Sequence, residues 1–239
     1  MYCEEGIGPR SGKRMMALRV HLDEPSVELF MRPIEPQALA AGGQYLLAIA
    51  DLERASHALS VLMNTTLYYP HPILNSYPGQ TVRGVDTVVS HGKATHYHPH
   101  SFLLWIDQDR VPHLEMEAPP PHESIEAADW GIGLQGVQVR DGLPRHQAIG
   151  EHDRVQQRAF IGIDPDAHLL YLIAWESANA YDMMDSAIAV GVKHGGQLDS
   201  GHATHLLLGS DAKGVRPLTG IRGGRPLGPY MGIRAKALE

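Results

Sequence analysis

An α+β fold is predicted for this chain: a single domain on a largely antiparallel or mixed β-sheet with a few packed helices. Three observations carry that expectation. Short segments of alternating apolar and polar residues recur from residue 17 to residue 208, which is the half-buried strand signature. Helical periodicity is clear in one place only, residues 180–191. No regular βαβ alternation and no internal repeat is present, so a doubly wound parallel sheet is not expected.

Strands are expected at residues 17–22 and 27–31, with Asp23, Glu24 and Pro25 joining them as a hairpin. Residues 52–59 read as a short helix, followed by an apolar strand at 61–64 that ends on the amide of Asn64. Prolines and polar residues make 69–80 a loop, and 85–90 a strand closed by the turn His91, Gly92, Lys93. Strands at 102–106 and 111–116 flank the turn Asp107, Gln108, Asp109. Three consecutive prolines, Pro119 to Pro121, read as a loop within one domain, because the strand rhythm resumes unchanged at 132–139.

Residues 160–163 and 169–174 flank Asp164, Pro165 and Asp166 as a hairpin with two buried arms. Ala180, Met183, Met184, Ala187 and Ile188 then fall on one helical face, with Ser177 or Asn179 as cap and Gly195, Gly196 as the stop. The methionine stripe on that face reads as core packing.

The chain has 239 residues, 43% of them hydrophobic, enough for a sizeable core. A net charge of -7 argues against nucleic acid or an anionic membrane as partner. The basic residues gather late: Lys213, Arg216, Arg222, Arg225, Arg234 and Lys236 are opposed only by Glu239, a local positive field suited to a small anionic ligand. Cys3 is the single cysteine, which excludes an intrachain disulfide and a cysteine-based zinc site. Residues 1–15 lack an apolar core of signal-peptide length and are expected to be a flexible leader to a domain at 16–236, in a soluble, cytoplasmic protein.

The densest chemical signal is the segment 195–204, where Asp199 sits on a turn between two short apolar steps, with Gly201 two residues on. Consecutive turn N–H groups of this kind converge on an anion, and the same residues also make an ordinary hairpin turn. Histidines number fifteen. His96, His98 and His100 would share one face of a strand, near His91 and with His202 and His205 later, which is metal-ligand spacing. Pro99 weakens that strand, and polar surface is the plainer reading. Glu151, His152 and Asp153 lack an amphipathic helix around them, which argues against a metal phosphohydrolase of that type.

Four segments together resemble the phosphodiester glycosidase family. Met63 to Tyr68 resembles its Asn-Gly-Gly-Phe-Phe-like strand end, and Arg158 to Ile163 its Arg-Thr-Ala-Ile-Gly-like strand. Leu198 to Thr204 resembles its Leu-Asp-Gly-Gly-Gly-Ser-like turn, and Arg225 with Pro226 its late Arg-Pro step. The likeness runs from about residue 18 to residue 233 and is strongest after Val137. The chain departs from the pattern where Thr65, Thr66, Ser200 and His202 stand in place of glycines.

The resemblance implies a hydrolase that cleaves the bond between a sugar anomeric carbon and a phosphodiester, with a small sugar phosphate or glycan as partner and no cofactor. Asp199 is then base, nucleophile or electrostatic stabiliser, and Arg158 binds the phosphate through its guanidinium fork. The alternative for Arg158 is an arginine pinning a strand edge. Glu176 is the second carboxylate, or an acid drawn to a helix start by the dipole. Asn64 and Thr204 bind substrate or cap backbone, Gly201 and Arg225 line the anion site, and His202 shuttles a proton or fills the pocket. Two other readings are a catalytically impaired member that binds an anionic glycan or nucleotide-like ligand, and a histidine-based metallohydrolase.

Overall fold

The computed structural model describes residues 1–8, 12–32, 44–69, 77–96, 98, 101–145, 154–209 and 226–235. The chain opens with β1 (Tyr2–Ile7), β2 (Arg14–His21), β3 (Val27–Met31) and β4 (Gln44–Leu46), then α1 (Ala50–Ser56) and β5 (Val61–Asn64). Short strands follow: β6 (Tyr68–Tyr69), β7 (Thr81–Gly84), β8 (Val88–Ser90), β9 (Lys93–His96), β10 (Phe102–Asp107) and β11 (Pro112–Glu115). Helix α2 (His122–Ala127) runs directly into β12 (Ala128–Leu134), and β13 (Val139–Arg140) and β14 (Leu143–Pro144) come next. The last elements are β15 (Gln156–Asp164), β16 (Leu169–Ala178), α3 (Ala180–Ala189), β17 (His194–Gln197), β18 (Leu206–Leu208) and β19 (Tyr230–Ala235).

These strands form sheets of seven (β1-β2-β16-β15-β17-β13-β14), five (β11-β10-β12-β8-β9), four (β18-β5-β19-β3) and three (β4-β7-β6). The fold is therefore largely β, which corrects the α+β expectation. Every ladder among the described residues is antiparallel, so the sheet is not mixed either. The physical reason is short strands with little apolar periodicity: β4, β7 and β9 have three or four residues and β6, β13 and β14 two each, too few for the pattern to register. The chain's start differs too. Tyr2–Ile7, inside the segment expected as a leader, pairs along its whole length with β2 as an edge strand with no fully buried residue.

One core gathers the inner faces of three sheets: Met16 and Leu18 from β2, Ile161 from β15, Leu172 from β16, Leu104 and Ile132 from the five-stranded sheet, Met63 and Ile233 from the four-stranded sheet. The seven-stranded sheet is buried on its other face as well. Phe160, Ile173 and Trp175 point there and pack against Met183, Met184 and Ala187 of α3. Because both faces of β15 and β16 are covered, their alternation is hidden in continuous apolar runs, and the expected two buried arms are the result.

Asn179 caps α3, its side chain accepting from Asp182 N at 2.9 Å. The helix ends at Ala189, earlier than the glycines expected to stop it. Those glycines belong to β17, where a Cβ on Gly196 would lie 2.4 Å from Gly136 O. A Cβ on Gly195 would lie 2.4 Å from Ile161 O of β15, so close packing of β17 on β15 and on the segment after β12, not a helix end, is what requires the two glycines. No helix of the described residues is long and apolar enough to cross a membrane.

Candidate functional site

Asp199 marks the point where the chain leaves one sheet for another. β17 pairs with β15 through Phe160 opposite Gln197, and Leu198 N donates to Ala159 O at 2.9 Å. At the next residue the direction changes: Asp199 N donates to Thr65 O at 2.8 Å, just past the end of β5, and β18 then pairs with β5. Residues 198–205 are thus a crossing between the seven-stranded and four-stranded sheets. Its middle is a 3-10 turn, Gly201–Ala203, entered through Gly201 at φ +71°, a region that favours glycine.

The side chain of Asn64 closes this crossing at both ends. Its Nδ2 donates to Asp199 O at 2.6 Å, and its Oδ1 accepts from His205 N at 2.8 Å. Asn64 is 2% exposed, so both bonds are shielded from water. Of the two readings, substrate binding and backbone capping, this geometry displays the second. The carboxylate of Asp199 is itself buried to 8% exposure, and its Oδ1 accepts from Ser200 N at 2.9 Å. Ser200 Oγ turns back to Leu198 O at 3.0 Å, filling a place where the resembling turn has glycine.

Arg158 lies on β15 two residues before Phe160, which pairs with Gln197, the last residue of β17 before the crossing. The guanidinium is 2% exposed and donates to three neutral oxygens: Nη1 to Gln197 Oε1 at 2.6 Å, Nη2 to Arg154 O at 2.7 Å and Nε to Ala178 O at 3.2 Å. Gln197 N in turn donates to Gln138 Oε1 at 2.6 Å. Arg158 therefore knits β15, β16 and β17 together.

Glu176 lies on β16 and faces Arg14 at 3.7 Å, with about a third of its side chain exposed. It is an ion-paired strand residue near the end of its element. Thr204 is fully buried and its hydroxyl has no hydrogen-bond partner among the described residues; the same holds for Thr65. The sequence marks Thr204 as a residue that binds substrate or caps backbone, and Thr65 only as a replacement for glycine. His202 contributes its backbone to the 3-10 turn, and its side chain lies outside the described residues, as does Arg225 altogether.

His205 is buried, and its Nδ1 donates to Ala203 O at 2.9 Å. Burial lowers its pKa, so the ring stays neutral with Nε2 unprotonated.

Sequence reasoning passed over Asp86. Gln135 Nε2 donates to its Oδ2 at 3.4 Å and Ser101 Oγ to its Oδ1 at 3.1 Å, and Ser101 Oγ also lies 3.4 Å from His98 Nδ1. Burial pushes the Asp86 carboxyl up to about 6, against the lowering effect of those two hydrogen bonds. This network occupies the same end of the core as Asp199: Val85 N bonds to Leu67 O, three residues past Asn64, and Gly136 backs onto Gly196. Asp86 falls inside the strand expected at 85–90, where a single polar residue reads as the solvent-facing half of an alternation, whereas β8 begins only at Val88.

For the metal expectation, the described residues contain no group of three or more His, Cys, Asp or Glu able to hold an ion. His91 pairs instead with Asp129 at 2.6 Å on an exposed turn, and His98 contacts Ser101. The side chain of His96, and the whole of His100 and of 151–153, lie outside the described residues.

No family model and no curated protein matches the chain. Solved structures do. The catalytic domain of zebrafish N-acetylglucosamine-1-phosphodiester alpha-N-acetylglucosaminidase, auto-inhibited by its pro-peptide, superimposes with a TM-score of 0.70 at 14% identity, over 98% of this chain and 83% of that one. A hypothetical protein from Synechocystis gives 0.72 at 9% identity, over 98% of this chain and 62% of that one. A putative exported protein from Burkholderia pseudomallei K96243 gives 0.66 at 9% identity, over 92% and 74%. At these identities the likeness is one of fold: the chain shares the fold of a glycosidase catalytic domain.

Proposed function

We propose that this chain is a hydrolase that cleaves the glycosidic bond of a sugar-1-phosphodiester. The observation that carries the reading is the clasp of Asn64 on the crossing that bears Asp199, in a fold shared with a domain named for that chemistry. In the reaction the bond from the anomeric carbon to the phosphate oxygen breaks, a water oxygen adds to that carbon, and a reducing sugar and a phosphomonoester leave. Positive charge develops on the sugar ring on the way, and a fixed carboxylate stabilises it.

Asp199 supplies that carboxylate. Its backbone is held from both sides, by Thr65 O on its N–H and by Asn64 on its carbonyl, so its orientation is set before substrate arrives. Arg158 supplies positive charge for the phosphate, and its bonds to β16 and to Gln197, two residues before Asp199, keep the guanidinium in place. Gly201 and Thr204 are assigned to substrate binding, and Glu176 is assigned as the second carboxylate; the expected roles of Arg225 and of the His202 side chain fall outside the described residues.

A panel of sugar-1-phosphodiesters and nucleotide sugars, with products identified by mass spectrometry, tests the reading. Release of both products by the wild type and its loss in Asp199→Asn supports it. An untouched panel removes it.

One observation favours a second reading, a family-like chain that binds an anionic glycan or nucleotide-like ligand without turnover. Ser200 occupies a glycine position and spends its hydroxyl on Leu198 O, which ties the turn to itself. Thermal stabilisation by such ligands with no product formed would select this reading over the first.

A further inference from the structure

A cavity of about 320 Å³ opens between the four-stranded and five-stranded sheets, at the end of the core away from Asp199. The registers place it. Ser90 and Ile106 both pair with Trp130 at this end of the five-stranded sheet, whereas Asp86 and Gln135 meet at the other. Arg234 pairs with Glu28 at one end of the four-stranded sheet, and Asn64 pairs with Tyr230 at the other. Four residues of β12 separate Trp130 from Leu134, roughly 13 Å at strand rise.

The walls of this cavity are chemically mixed. Leu29, Phe30, Ile106 and Trp130 give it apolar and aromatic surface. Glu28, Asp107 and Asp129 bring negative charge, and Arg110 and Arg234 positive charge. Each charge already has a partner. Arg234 is paired with Glu28, His91 with Asp129 at 2.6 Å, and Asp107 with His113 at 2.9 Å. Arg110 donates to the carbonyls of Leu22, Glu24 and Val27.

A charged ligand would have to displace one of these pairs or bring its own charge beside carboxylates and guanidinium groups alike. A neutral polyhydroxy ligand would not. Its hydroxyls donate to the second oxygens of Glu28 and Asp129 and accept from Arg234, while its C–H face lies on the apolar wall. A volume near the lower end of the roughly 300–1,000 Å³ range of small-molecule pockets suits one sugar ring.

We propose that the cavity formed by Glu28, Phe30, Asp129, Trp130 and Arg234 is a binding site for a neutral monosaccharide, separate from the Asp199 site. It does not depend on the proposed hydrolysis. Because this site stands apart from Asp199, a glycan hydrolysed at the one end of the core could be held at the other.

Ligand-observed NMR titration of the full chain with D-glucose, D-galactose and D-mannose tests this, with inorganic phosphate and spermidine as anionic and cationic probes. Saturable binding of at least one sugar is expected, unchanged in Asp199→Asn and weakened about tenfold or more in both Glu28→Ala and Asp129→Ala, each the loss of a hydrogen bond to a charged group. Both positions are substantially exposed, so the fold is expected to survive the changes. No sugar binding, binding of phosphate or spermidine at these residues in place of sugar, sugar binding that both alanine variants retain, or sugar binding lost in Asp199→Asn would each overturn the proposal.

Discussion

Asn64 Nδ2 donates to the carbonyl of Asp199 at 2.6 Å, across 135 residues of chain, and fixes the acid where the polypeptide crosses between two sheets. The same side chain accepts from His205 N, so one amide holds both ends of the crossing.

Replacing Asn64 by alanine strands a buried carbonyl and a buried N–H, each costing about 1–3 kcal/mol. The expected loss of stability is therefore on the order of 2–6 kcal/mol, read from urea unfolding with the slope unchanged. Asn64→Asp keeps the acceptor for His205 N and opposes the Asp199 carbonyl with a carboxylate oxygen, so it is expected to be at least as destabilising.

Arg158→Lys retains the charge and gives up the fork that reaches Gln197, Arg154 and Ala178 together. A loss on the order of 3–6 kcal/mol is expected, since hydrogen bonds from charged groups are worth about 1.5–3 kcal/mol each and lysine can replace one of the three. A stability equal to wild type would show that the three bonds contribute nothing and that Arg158 is held for its charge alone.

Asp86 makes stability depend on pH with a definite sign. Its folded value of about 6 lies above the unfolded value near 3.8, so the native state holds the proton more tightly. The stability it contributes is complete below about pH 4 and is lost as pH rises through about 6, roughly 3 kcal/mol in all at about 1.4 kcal/mol per unit. Asp86→Asn is expected to match wild type at about pH 4 and to exceed it at about pH 7 by an amount of that order. Urea unfolding of the pair at the two pH values checks the sign.

His205 has the opposite sign. Burial holds its folded value below 6.5, so its contribution is present above that pH and declines as pH falls through 6.5 toward the folded value. His205→Gln, which keeps a donor for Ala203 O, is expected to lose less stability than wild type on acidification through this window, as followed by the thermal midpoint.

Much of the frame was legible in the residues. Asn64 at a strand end, the hairpin of β15 and β16, the Asn179 cap and the turn at Asp199 all stand where local pattern placed them. What stayed hidden depends on long-range packing. Gly195 and Gly196 read as a helix stop because the close approach of Ile161 to the one and of Gly136 to the other cannot be seen from any of these segments alone. Tyr2–Ile7 read as a leader because an edge strand needs no apolar face of its own when β2 supplies the ladder. The two-residue strands carry no period to read, and with β1, β4, β7 and β9, which were not expected, they leave the three short helices of the described residues as a small part of a largely β fold. At the site, Glu176 drew notice for its place before a helix and is held by Arg14, whereas Asp86, perturbed only by its burial among Ser101 and Gln135, drew none.

Single-turnover analysis of wild type and Asp199→Asn on sugar-1-phosphodiesters, with mass spectrometry of both products, bears most directly on the central claim. The account predicts a reducing sugar and a phosphomonoester from the wild type and a rate about 100-fold lower or less from a variant that unfolds at the same urea concentration. Equal rates in the two proteins, or no product from the wild type, would contradict it.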